Sequence, residues 1–168
     1  KHGVIIKSGE ALEKMGKVDT IAFDKTGTLT CGNLEVCDIV SFKQELTETE
    51  LLRLAGSAEA KSEHPLGKAI AAFGRERGLQ ITEADDFKME AGKGVYGEIS
   101  GRKLFCGNEK YLAQNGITVG KQGKEVLERL RSEGKASVLV AENGECIGVI
   151  ALSDVLRPEA GKVTDRLK

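Results

Sequence analysis

At 168 residues the chain has room for one ordinary domain or two small ones, and 40% hydrophobic with 30% charged residues is the composition of a chain that buries a core. Twenty-five basic residues against 26 acidic ones leave a net charge of -1, and two Tyr, five Phe and no Trp supply neither the basic stripe nor the stacking rings of a nucleic-acid binder. No apolar run approaches the roughly 20 residues of a membrane span, no signal peptide is read at the start, and Cys31, Cys37, Cys106 and Cys146 lack the paired spacing of a disulfide framework or zinc site.

In chain order, Ser8 predicts the cap of a short helix through Met15, with Leu12 and Met15 on one face. Residues 18–23, apolar and β-branched over a short length, predict a buried strand that runs into the polar loop Asp24-Lys25-Thr26-Gly27-Thr28-Leu29-Thr30. A carboxylate at the end of a buried strand is where open α/β sheets place chemistry. Asp24 brings a nucleophilic oxygen, Lys25 a positive charge, and Thr26 and Thr28 hydroxyl donors, which are the parts needed to attack a phosphoryl group. An acid two residues after the nucleophile would help water hydrolyse the phospho-enzyme. Thr26 cannot do so, and a long-lived acyl phosphate is expected.

Residues 34–42 predict a second strand. Thr47-Glu48-Thr49-Glu50 is a capping box that opens a helix ending near Lys61. Pro65 suits the first position of the next helix, which Gly78 stops after Arg77. Between them lies Glu59-Ala60-Lys61-Ser62-Glu63-His64-Pro65-Leu66. His64 falls beside the free amides of the second helix, placed either to orient a nucleotide or simply to cap the helix.

Residues 87–107 read as glycine-punctuated strands. Gly92-Lys93-Gly94-Val95-Tyr96-Gly97 fits the G-x-G-x-x-G pattern, but strand residues follow it and no acid lies about 20 residues on, so a dinucleotide fingerprint is excluded. The glycines either let a flat ring or a phosphate approach the backbone or mark an ordinary bulge. Helices are predicted over 108–114 and 121–131. Strands over 136–141 and 145–152 flank Asn143-Gly144, a type I′ hairpin signal, and Pro158 opens a last helix. Arg157 is placed to pair with Asp154.

The loop 24–30 resembles the phosphorylation signature of P-type ATPases, within the haloacid-dehalogenase-like superfamily, and Ser62-Glu63-His64-Pro65-Leu66 resembles the hallmark of their heavy-metal (P1B) subgroup. The resemblance implies an α/β and α+β chain. A partial Rossmann-like phosphorylation domain (residues 1–32 and 152–168) would carry an inserted α+β nucleotide-binding domain (33–151), an antiparallel sheet flanked by helices. It implies that Mg-ATP phosphorylates Asp24, with Lys25 and Thr26 assisting and the Thr26 carbonyl helping Asp24 hold Mg²⁺. It implies that Glu59 recognises the adenine edge and His64 orients the nucleotide, that Gly92 and Gly94 line the pocket, and that Val95, Gly107 and Asn108 lie nearby. As the alternative to pairing with Asp154, it implies that Arg157 neutralises ATP phosphates when the domains close. The whole would be a cytoplasmic part of a membrane pump for copper(I), or for zinc or cadmium. The second Mg²⁺-binding segment of that family is not in this sequence, so the chain is expected to bind ATP and phosphorylate itself poorly. A soluble phosphatase of the same superfamily is the rival, and Thr26 argues against it.

Overall fold

The computed structural model describes residue 5 and residues 8–166, with the side chains of Lys25, Thr26 and Leu156 outside the description. The chain divides into two compact units, residues 1–31 with 156–168, and residues 32–155.

In the first unit, Ser8 Oγ accepts the Ala11 amide at 3.2 Å and starts α1 (Gly9–Met15), as its cap chemistry predicts. The strand expected over 18–23 does not form. Val18, Ile21 and Phe23 are 55%, 51% and 39% exposed, and residues 18–24 are irregular. An isolated strand leaves its amides and carbonyls unpaired, and among the described residues no strand of this unit lies beside this one. Lys25–Leu29 forms a single π-helical turn, and α6 (Ala160–Arg166) follows Pro158.

The second unit is a six-stranded antiparallel sheet with helices on both faces, the arrangement expected for residues 33–151. The strands are β1 (Thr30–Ser41), β2 (Asp86–Glu90), β3 (Gly94–Ile99), β4 (Arg102–Gly107), β5 (Ala136–Glu142) and β6 (Glu145–Leu156), in the order β1-β6-β5-β4-β3-β2. Helices α2 (Glu48–Ala58) and α3 (Pro65–Glu76) cover one face, and α4 (Glu109–Gln114) and α5 (Lys121–Ser132) cover the other. The alternation of a strand explains why β5 is nonetheless continuously apolar: Val138 and Val140 join the cluster under α2 and α3, while Leu139 and Ala141 join the one under α4 and α5.

Thr47 Oγ1 accepts the Glu50 amide at 3.2 Å to start α2. The Glu50 carboxylate, expected to complete the capping box, instead takes Arg53 at 2.7 Å and Arg102 at 3.4 Å. At the β5–β6 turn, Asn143 and Gly144 both adopt positive φ (48° and 90°), the type I′ geometry that matches strand twist. Asn143 also accepts the Lys103 amide at 3.1 Å and ties the hairpin to β4.

Fully buried Leu104 and exposed Leu12 test this partition. Leu104→Ala is expected to cost about 2–5 kcal/mol of stability, and Leu12→Ala less than about 0.5 kcal/mol. Urea unfolding compares the two, and equal losses would contradict the packing.

Candidate functional site

Helix α2 ends at Ala58, and the chain turns through Glu59 (Ser62 N–H to Glu59 O, 2.8 Å) into α3. His64 is the N-cap of α3: its Nδ1 accepts the Leu66 amide at 3.3 Å. That bond assigns the ring proton to Nε2, which is left to meet a ligand. The capping role and the orienting role foreseen for His64 are therefore compatible, each using a different nitrogen.

Facing this turn are the β2–β3 hairpin, the end of β4 and the start of β5. Together they enclose a cavity of about 420 Å³, within the range of small-molecule sites. Glu59, His64, Gly92, Gly94, Val95, Gly107 and Asn108 all line it. Sequence reasoning missed Ser62, Leu66, Met89 and Val138, which supply hydroxyl and apolar walls to the same cavity.

Glu59 is only 5% exposed. Burial drives its carboxyl up to about 7, with a hydrogen bond from Ser62 opposing the shift. Room for this carboxyl comes from Gly67, in the first turn of α3. A Cβ there would stand 2.1 Å from Glu59 Oε2 and 2.6 Å from Ser62 Oγ. Nothing in the local sequence signals this, because Gly67 sits inside a helix whose other residues favour helix.

The glycines of β3 and β4 have a different cause from the one anticipated. Gly94 and Gly107 are directly paired across strands. A Cβ on either would strike the Tyr111 ring (2.5 and 2.9 Å) and backbone of the neighbouring strand. Tyr111 belongs to the cluster under α4 and α5, so the missing side chains make space behind the sheet. The strand backbone itself forms the cavity wall. Gly92 serves the turn: it has φ 71°, and Lys93 N–H closes onto Glu90 O at 3.0 Å. Asn108 caps α4 through the Tyr111 amide (2.9 Å) and holds Gly92 O with its Nδ2 (3.1 Å), locking the hairpin to the end of β4.

In the first unit Asp24 is exposed, immediately before the π-helical turn. The roles expected of the Lys25 and Thr26 side chains lie outside the described residues. Gly27 N–H donates to Thr30 Oγ1 at 3.1 Å. Arg157 is not among the residues lining the cavity; it grips the Asp24 loop instead. Its amide donates to Leu29 O (2.8 Å), its Nε to Thr30 O (3.1 Å) and its Nη2 to Gly27 O (3.2 Å). Two of the five guanidinium N–H donors hold this turn, so the clamp and the phosphate-neutralising role expected of Arg157 use different donors. For Mg²⁺ the fit is incomplete. Among the described residues no three acidic, His or Cys side chains cluster, and Asp24 alone does not build a metal site.

A sequence model of haloacid dehalogenase-like hydrolases matches residues 18–168. The copper-exporting P-type ATPase B of Archaeoglobus fulgidus is 40% identical over 168 residues, all of this chain and 24% of that pump. The crystal structure of a zinc-transporting PIB-type ATPase in its E2.Pi state superposes with a TM-score of 0.81 at 33% identity, over 97% of this chain and 26% of that one. The catalytic domain of the CPx-ATPase CopB-B, described with its conformational changes upon nucleotide binding, gives a TM-score of 0.67 at 32% identity, over 98% of this chain and 55% of that one. The chain thus spans about a quarter of the first two relatives' length. No helix among the described residues is long and apolar enough to cross a membrane.

The buried carboxyl has a consequence for stability. Its folded-state value of about 7 stands above the ordinary 4.5, so the native state binds the extra proton. The associated stability is complete below about 4.5 and lost as pH rises through 7. Glu59→Gln is expected to remove that loss and to gain up to about 3 kcal/mol over wild type between pH 5 and pH 8. Denaturant midpoints at the two pH values measure it, and parallel profiles would contradict a buried, proton-holding Glu59.

Proposed function

The chain belongs to the haloacid dehalogenase-like hydrolases, and we infer that it is the ATP-binding and phosphate-accepting headpiece of a P-type pump for heavy-metal ions. The observation that carries this reading is the convergence of seven residues, singled out through the resemblance to heavy-metal P-type ATPases, on one cavity that ends in a buried carboxyl. Adenosine occupies that cavity. Its base enters towards Glu59, between the apolar surfaces of Leu66, Val95 and Met89, and His64 Nε2–H donates to the nucleotide. The backbone at 92–94 and 107 forms the wall that faces the ligand.

The phosphate acceptor is Asp24. One carboxylate oxygen attacks the γ-phosphorus, the bond from that phosphorus to the bridging oxygen breaks, and ADP leaves as an acyl phosphate forms. Mg²⁺ arriving with ATP would neutralise charge on the phosphates, with Asp24 as the chain's carboxylate towards it; the chain's own contribution is the loop. Arg157, through the carbonyls of Gly27, Leu29 and Thr30, holds the turn that follows the nucleophile. Thr26 offers no acid or base at the position where hydrolysis would need one, which keeps the acyl phosphate available as stored energy. We assign residues 32–155 to nucleotide binding and the remainder to the phosphorylation domain. The transported ion is a heavy metal: the copper-exporting relative supports copper(I), and the zinc-transporting structure supports zinc as the second choice.

Calorimetric titration of this chain with ATP tests the site. Glu59→Ala and His64→Gln are each expected to weaken binding at least several-fold, and unchanged affinity in both would overturn the assignment of the cavity. Incubation with γ-labelled ATP is expected to label Asp24 far more slowly than in a full-length pump. In the full-length pump, Asp24→Asn is expected to abolish the phospho-enzyme and transport together, and an Asp24→Asn variant that still takes up label would refute the nucleophile.

A further inference from the structure

We propose that Glu59 selects adenine as a neutral carboxylic acid, its hydroxyl donating to ring nitrogen N1 and its carbonyl accepting from the exocyclic amine. The proposal rests on the cavity being the nucleotide site and goes beyond it in naming the chemical form that reads the base.

The geometry comes first. The Glu59 side chain is enclosed at the end of α2, with Oε2 in the space a Cβ on Gly67 would take and the Ser62 hydroxyl bordering the same space, yet it lines the cavity. Such a carboxyl has one edge available to a ligand. Adenine offers a donor and an acceptor side by side on its pairing edge. An ionised carboxylate has acceptors only, so it would satisfy the amine and set a lone pair against N1. A protonated carboxyl presents both a donor and an acceptor and satisfies both positions. Guanine reverses the preference, because its N1–H and N2–H₂ are both donors and suit a carboxylate.

The surroundings favour the neutral form. No cation among the described residues compensates the carboxyl; its one polar partner is Ser62. Burial pushes up the Cys106 thiol from β4 and the Tyr111 phenol from α4, Tyr111 to about 12, with Glu59 a lesser contributor to each, so both stay uncharged. Of the charged residues around the cavity, Lys93 is paired with Glu90 at 3.1 Å, and Glu63 and His64 are exposed. Lys61, two residues along from Glu59, turns away to Ala84 O (2.9 Å) and Glu83 (3.7 Å).

If only the protonated form is competent, the apparent dissociation constant is the intrinsic one divided by the protonated fraction. With the carboxyl titrating at about 7, affinity should fall about tenfold between pH 6 and pH 8. Glu59→Gln keeps a donor and an acceptor at every pH, so its affinity should lack this component. Protonation of the ATP phosphates is common to both proteins and cancels in the ratio of their affinities.

The experiment is calorimetric titration of wild-type chain, Glu59→Gln and Glu59→Ala with ATP and with GTP at pH 6, 7 and 8. The wild-type to Glu59→Gln ratio of dissociation constants for ATP should rise about tenfold over this range. The wild-type preference for ATP over GTP should narrow over the same interval. A flat or falling ratio would overturn the proposal while leaving the cavity as the nucleotide site. Indistinguishable binding by all three proteins at every pH would remove Glu59 from the site, and the nucleotide reading of the cavity with it.

Discussion

The arrangement of residues 32–155 turns on the burial of one carboxyl. Glu59 sits where α2 gives way to α3, a point at which exposed polar groups are the ordinary outcome. Here the helix that follows lacks a side chain at Gly67, the turn bends so that Ser62 reaches the carboxyl, and the group ends almost wholly enclosed. Burying an acid without a cation is unfavourable unless it is neutral or hydrogen-bonded. Its place at the wall of a cavity is the kind of costly burial by which functional sites are recognised.

The opposite wall is held by a different device. Gly94 and Gly107 come together because Tyr111 packs behind them, in contact with Phe105, which in turn meets Tyr96 (centroids 6.2 and 5.1 Å apart). A core on the α4–α5 face thereby sets the backbone surface exposed on the α2–α3 face. Asn108 adds a second lock through Gly92 O. The sheet transmits rigidity through its thickness, and the cavity has one wall made of helix ends and one made of backbone.

Much of this was legible from residues alone where the cause is local. Ser8, Thr47 and Asn143-Gly144 act through their own backbone neighbourhoods, and each does in the structure what its chemistry dictates. The seven cavity residues were found through a family resemblance, and their convergence could not have been derived from spacing. What escaped depends on distant partners. Gly67 matters because of Glu59, eight residues earlier and on another element. Gly94 and Gly107 answer to Tyr111 more directly than to a ligand. Residues 18–23 carry a strand's composition, but composition does not supply a neighbour with free hydrogen-bonding groups. Glu50 left its capping box for Arg53 and Arg102, because a charge-assisted bond to a guanidinium is stronger than one to a neutral amide.

Arg157 illustrates the same rule from the other end of the chain. Its guanidinium could in principle meet phosphate, yet it is 130 residues from Gly27 and binds that residue's carbonyl. The carbonyls of Gly27 and Thr30, converging within one turn, form a concave acceptor surface that a flexible lysine would fit poorly, whereas a planar fork with fixed donor directions fits well. The two segments of the first unit are thus joined by a side chain that crosses the whole inserted domain in sequence. That join makes the loop carrying Asp24 depend on residues beyond the second unit, so the surroundings of Asp24 are completed only once the chain has left residues 32–155 and returned.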